Sequence, residues 1–123
     1  MIDLSKIAAK EIPTKTVTVN ILGTITETTI RPLTGQNRMD YWALDVGDDI
    51  AKCTKERVFI SLKNGAGMKM EDIFQLIVLD WDAAVSLAGN IHTFTVEFEE
   101  EISKIKKEAE KNFQAAGGKT TPA

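Results

Sequence analysis

The sequence is poor in residues that mark covalent or metal-centred chemistry. It has one cysteine, Cys53, one histidine, His92, and three prolines in 123 residues. A single cysteine excludes a disulfide within the chain and favours a reducing compartment. No apolar run approaches the roughly 18 residues of a membrane span, and the start of the chain lacks the pattern of a signal peptide. We therefore expect a cytoplasmic protein without a membrane partner.

The sequence also lacks a net positive charge. The formal net charge is −3 and the isoelectric point is near 5.2, whereas binding to a phosphate backbone needs a basic surface. We expect no nucleic-acid partner. The length and the 43% apolar content are ordinary for one globular domain. We assign residues 1–113 to that domain and predict that the small, polar tail 114–123 is disordered.

Residues with catalytic potential do not form a recognisable motif. His92 lies beside Ile91 and is better explained as a polar-face residue, and nothing around Cys53 indicates a reactive thiolate. Asp80 and Asp82 could hold a magnesium ion, but they are better explained as a helix cap and a partner of the helix dipole. We predict no catalytic, cofactor-binding or metal residues. A small enzyme that collects these groups in one pocket remains the less favoured alternative.

The N-terminal part alternates apolar and polar residues like a β-hairpin. In "KTVTVNIL" (15–22) the residues Val17, Val19 and Ile21 share one face, and "TITETTIR" (24–31) returns after Gly23. Ile25 and Ile30 are five residues apart, so in a regular strand their side chains would point to opposite faces. We therefore expect one of them in the turn or at a bulge. A short helix or extended arm over residues 2–12 precedes the hairpin.

The remainder favours helices. Thr34 is placed to cap a helix over about 35–44, with Met39, Trp42 and Ala43 turned inward. A second helix, capped by Asp48 or Asp49, carries an apolar stripe to about residue 62, although "RVFISL" (57–62) also has strand propensity. "KNGAG" (63–67) stops it, with Gly65 or Gly67 in the left-handed conformation. "MEDIFQLIVL" (70–79) is apolar nearly all round, which predicts a buried helix.

The strongest pattern is a long apolar stripe near the C-terminal end. It comprises Leu87, Ile91, Phe94, Phe98, Ile102, Ile105, Ala109 and Phe113. The mean spacing is about 3.7 residues, a helical period, and a helix over 80–113 would be about 50 Å long. That exceeds a domain with a radius of gyration of about 14 Å, so one half should project and bind a partner or another copy. Burial within the monomer is the alternative.

From this periodicity we predict a partner-binding surface. Its residues are Phe94, Phe98, Ile102, Ile105 and Phe113. The segment "FTVEFEEEISKIKK" (94–107) alternates at first like a strand, but a helix aligns more of its apolar positions, with a possible kink over 93–96 where β-branched residues weaken it. The predicted class is thus α+β, an N-terminal β-hairpin followed by a mainly helical part with a long amphipathic C-terminal helix.

The order of these segments resembles the tail assembly chaperones of long-tailed phages and prophages. The likeness runs through "IPTK", the hairpin "VTVNILGTITETTI", "RPLTGQNR", "VFISLKNGAGMKMEDIFQL" and "DWDAAVSLAGNIHTFT" to the charged C-terminal helix. The resemblance implies a non-enzymatic protein of the host cytoplasm that binds the tape measure protein, helps to recruit tail tube subunits and is absent from the finished virion. The alternative is a structural tail or connector subunit that stays in the particle.

Overall fold

A computed structural model describes residues 12–44 and 50–115 of the chain, with side chains for 12–44 and 54–113. The described elements are β1 (Lys15–Ile21), β2 (Thr24–Ile30), α1 (Gly35–Ala43), α2 (Ile50–Gly65), α3 (Met70–Leu79) and α4 (Trp81–Ala115). The predicted α+β class, with a hairpin before helices and a long last helix, is confirmed. The predicted arm before Ile12, the caps Asp48 and Asp49, and the tail from residue 116 lie outside the described residues.

The two strands form an antiparallel hairpin with an unbroken register from Lys15↔Ile30 to Ile21↔Thr24. The prediction that Ile25 or Ile30 lies in the turn or at a bulge is therefore wrong. Ile30 is buried, whereas Ile25 stands opposite Asn20 and is 67% exposed, because its parity places it on the solvent face. The turn is Leu22–Gly23, with both φ angles positive, as a two-residue type I′ turn requires.

The core lies between the inner face of the hairpin and helices α2, α3 and α4. Its fully buried side chains include Ile30, Leu33, Leu62, Ile73, Leu87 and Ile91. Helix α2 passes very close to α4 at Gly65, where an added Cβ would lie 2.5 Å from Cγ2 of Ile91. A side chain on Gly65 would thus clash with a residue that has no space to move. Gly67, not Gly65, has the left-handed φ that ends this segment.

Two predicted burial patterns are wrong. In α1 the buried side chain is Tyr41, while Met39, Trp42 and Ala43 are exposed. A helix of nine residues that packs along one side buries only a narrow stripe of its side chains. In α3 only Ile73 and Leu76 are buried, because a helix that packs on one side of a small core cannot bury its whole circumference. The helical prediction for "RVFISL" is confirmed, since these residues belong to α2.

Polar side chains attach the hairpin and its following loop to α4. Asp80 accepts hydrogen bonds from the backbone N–H of Leu22 (2.9 Å) and of Ala83 (3.1 Å), so it caps α4 as predicted and also holds the hairpin turn. The buried Thr95 hydroxyl accepts from the Leu33 N–H at 2.9 Å and donates to the carbonyl of Ile91 at 2.7 Å. These bonds give the hairpin a defined position relative to the helices.

Helix α4 is continuous through residues 93–96, where a kink was considered. It extends to Ala115, so the first two residues of the predicted tail, 114 and 115, belong to the helix. Within residues 12–44 and 50–115, no helix combines the length and the apolar character needed to cross a membrane.

Candidate partner-binding surface

The apolar stripe of α4 changes from buried to exposed along the helix. Leu87 and Ile91 are at most 2% exposed, whereas Ile105 is 40% and Phe113 58% exposed. Phe94, Phe98 and Ile102 lie between these extremes. The same helical periodicity therefore serves the core at one end and faces solvent at the other.

Phe94 lies at the core end of the predicted surface. It is partly buried and packs against the core cluster, and the Lys15 ammonium stands 5.8 Å from the centre of its ring. That geometry fits a cation–π contact. Of the five predicted residues, Phe94 is the one that packs against the core cluster, so part of its surface is already in use within the monomer.

Phe98 and Ile102 line a groove between α4 and the start of α1. The groove has a volume of about 460 Å³, and its wall opposite α4 comes from Leu33, Thr34, Gly35 and Arg38. On the α4 side, Glu99, Ser103 and Lys106 complete the rim. An apolar floor with a few polar rim groups is the usual form of a surface that receives an apolar side chain. Leu33 and the α1 residues were not predicted, because only the folded loop brings them to α4.

An ion pair stands at one edge of this groove. The Arg38 Nε donates a hydrogen bond to the Glu99 carboxylate, and this contact holds the pKa of Glu99 below its usual value, against the opposing effect of burial. A carboxyl pKa that is lower in the folded state stabilises the fold above the unfolded-state pKa. That contribution is lost as the pH falls through the lowered value.

Beyond the groove, α4 has no cover. Every residue from 103 to 113 is exposed. We call Ile102, Ile105, Ala109 and Phe113 the free half of the stripe. It was predicted to project; Ile102 is half-buried beside the groove, and the other three residues are exposed.

The residues with catalytic potential are dispersed over the described structure. The His92 Nδ1 and the Tyr41 hydroxyl are 2.9 Å apart, and both line a cavity with Arg57. Asp80 and Asp82 line a different cavity beside the hairpin turn. No three His, Cys, Asp or Glu residues converge as metal ligands within the described part of the chain. The side chain of Cys53 lies outside that part.

A second exposed apolar surface was missed by sequence reasoning. Met70, Phe74 and Val78 follow each other at one-turn spacing on α3 and are 51%, 48% and 80% exposed; we call them the α3 ridge. The ring centre of Phe74 lies 5.5 Å from that of Phe59, with the two ring planes tilted by 38°. The signal was present in the sequence, because a ten-residue helix with apolar residues all round must expose some of them unless it is enclosed.

Comparisons with protein-family models, with curated proteins and with solved structures found no match to this chain.

Proposed function

We propose that this protein is a non-enzymatic phage tail assembly chaperone that acts in the host cytoplasm. In this role it binds the tape measure protein and helps to recruit tail tube subunits. The observation that supports the proposal is the continuation of the core stripe of α4 as an apolar stripe that is half-buried at Phe98 and Ile102 and exposed at Ile105 and Phe113. The resemblance of the segment order to such chaperones supplies the identity of the client.

The physical argument concerns what such a client needs. A tape measure protein is a long helix with apolar stripes, and it must be shielded from aggregation before the tube encloses it. The apolar stripe of α4, together with the groove beside it, is a surface against which another amphipathic helix can pack. Without such a partner the free half is unfavourable, because a projecting helix without a packed face is only marginally stable in water. Client binding would bury Ile102, Ile105 and Phe113 and stabilise the free half.

The test is capture of the tape measure protein after co-expression with a tagged form of this chain. Ile105→Asp and, separately, Ile102→Asp place a charge on the binding face and should reduce captured client at least about tenfold. Ile25→Asp is the matched control, because Ile25 is exposed on the hairpin face away from the stripe. Capture that survives both α4 substitutions would show that the stripe is not the site.

The retained structural subunit is distinguished by a second measurement. Mass spectrometry of purified particles should find the tape measure and tube proteins but not this chain. Stoichiometric presence of the chain in finished particles would overturn the chaperone role and support the connector subunit.

A further inference from the structure

Two apolar helical surfaces of this chain are mostly uncovered within the described structure. One is the α3 ridge and the other is the free half of α4. They are of similar length: the ridge runs about 12 Å and the free half about 16 Å, at 1.5 Å per residue. Each is a single row of side chains at one-turn spacing, which suits packing against another helix.

The two surfaces cannot meet within one molecule. Helix α4 starts two residues after α3 ends and is continuous, so Ile102 lies about 32 Å along its axis from Trp81. Helix α3 is only about 15 Å long. It therefore cannot reach the free half, whichever way it is inclined, and any contact between the two surfaces must join two copies.

The charges beside the two surfaces are opposite. Residues 69–79, which contain the ridge, carry Lys69 and the two acidic residues Glu71 and Asp72, a formal charge of −1. Residues 102–113 carry the four lysines Lys104, Lys106, Lys107 and Lys111 and the two glutamates Glu108 and Glu110, a formal charge of +2. Attraction between such segments favours this pairing over free half against free half or ridge against ridge.

We propose that the α3 ridge of one copy covers the free half of α4 of a second copy. The contact is heterologous, because it joins different surfaces of identical chains, and each dimer leaves one ridge and one free half unpaired. Association is thus open-ended unless a ring closes. A surface of this size lies at the low end of specific interfaces, so the assembly is reversible and depends on concentration. The inference rests on the two surfaces and not on the proposed client.

The experiment uses two variants that each remove one surface. Val78→Asp destroys the ridge and Ile105→Asp the free half, and both sites are exposed, so folding should be retained, as checked by circular dichroism. Sedimentation velocity over a concentration series should show oligomers for the natural chain and monomers for each variant alone. An equimolar mixture of the two variants should form dimers and nothing larger, because it retains one intact ridge and one intact free half.

A charge-reversal variant and added salt test the contact without changing its apolar residues, and Ile25→Asp serves as the control. Combined Lys107→Glu and Lys111→Glu should move association to at least about tenfold higher concentration, and added salt should do the same to the natural chain. Ile25→Asp should associate like the natural chain.

Three results would overturn the inference. The first is a natural chain that stays monomeric at every concentration. The second is a Val78→Asp chain that associates normally, which would indicate symmetric pairing of α4 with α4. The third is a mixture that stays monomeric. Val78→Asp should still capture the tape measure protein, so failure of self-association and failure of the chaperone role are separable.

Discussion

At the scale of single residues, two glycines in helices have opposite surroundings. Gly65 faces the fully buried Ile91 at a distance that leaves no space for a methyl group, whereas Gly89 in α4 has nothing within 4 Å of where its Cβ would be. Both have ordinary helical φ angles, so neither is required for backbone conformation. Close packing alone accounts for Gly65, and no packing requirement is visible at Gly89.

This contrast predicts opposite effects of the same substitution. Gly65→Ala should lower the free energy of unfolding by about 1–3 kcal/mol, because α2 and α4 must separate. Gly89→Ala should raise it by about 0.5–1 kcal/mol, because alanine restricts the unfolded chain and favours the helix. Urea denaturation followed by circular dichroism measures both. Equal effects of the two substitutions would contradict the close packing at Gly65.

At the scale of elements, α4 consists of a packed half and a free half with the same apolar period. Local propensity does not distinguish the halves, since glutamate and lysine in the free half are good helix formers. What distinguishes them is contact: Leu87 and Ile91 have lost almost all exposure, and residues 103–113 have not. Tertiary packing supplies most helix stability, so stability must fall along α4.

Hydrogen exchange should report that decrease. In dilute, monomeric protein the amides of 104–113 should exchange much faster than those of 84–95, because they open without disturbing the core. Their protection should rise when a partner or second copy covers the free half. Equal protection of both halves in a proven monomer would remove the basis for a partner-seeking surface.

At the scale of the whole molecule, the hairpin and the helices share one core and several polar ties. Val19 and Ile30 of the hairpin belong to the same buried cluster as Leu62 and Ile91, and Thr95 binds the loop that leaves β2. This arrangement predicts that hairpin and helices unfold together, as one domain.

Thr95→Val tests that cooperativity. Valine keeps the shape of threonine but leaves the buried Leu33 N–H without an acceptor, which should cost about 1–3 kcal/mol. The midpoint of unfolding should shift equally by tryptophan fluorescence, which reports α1 and α4, and by the NMR signals of hairpin residues. Thr93→Val, at an exposed position of the same helix, should change stability by less than about 0.5 kcal/mol. Separate transitions for hairpin and helices would refute a single domain.

Much of this protein can be read from local sequence. The alternation of "KTVTVNIL", the capping position of Asp80 and the 3.7-residue stripe predicted the hairpin, the start of α4 and its length, because strand and helix periods are properties of the chain itself. The same stripe also predicted which residues would project, since a helix of that length exceeds the core.

Only the tertiary structure decided which side of each element is covered. It turned Tyr41 rather than Trp42 inward, left the α3 ridge in solvent, and brought Leu33 and Arg38 beside Phe98 to form the groove. These outcomes depend on contacts between residues far apart in the chain. The apolar period of an element shows which of its faces is apolar, but it does not show whether another element packs on that face. Local sequence therefore determined the elements of this protein, and the limited size of its core determined which of their apolar faces remain for a partner.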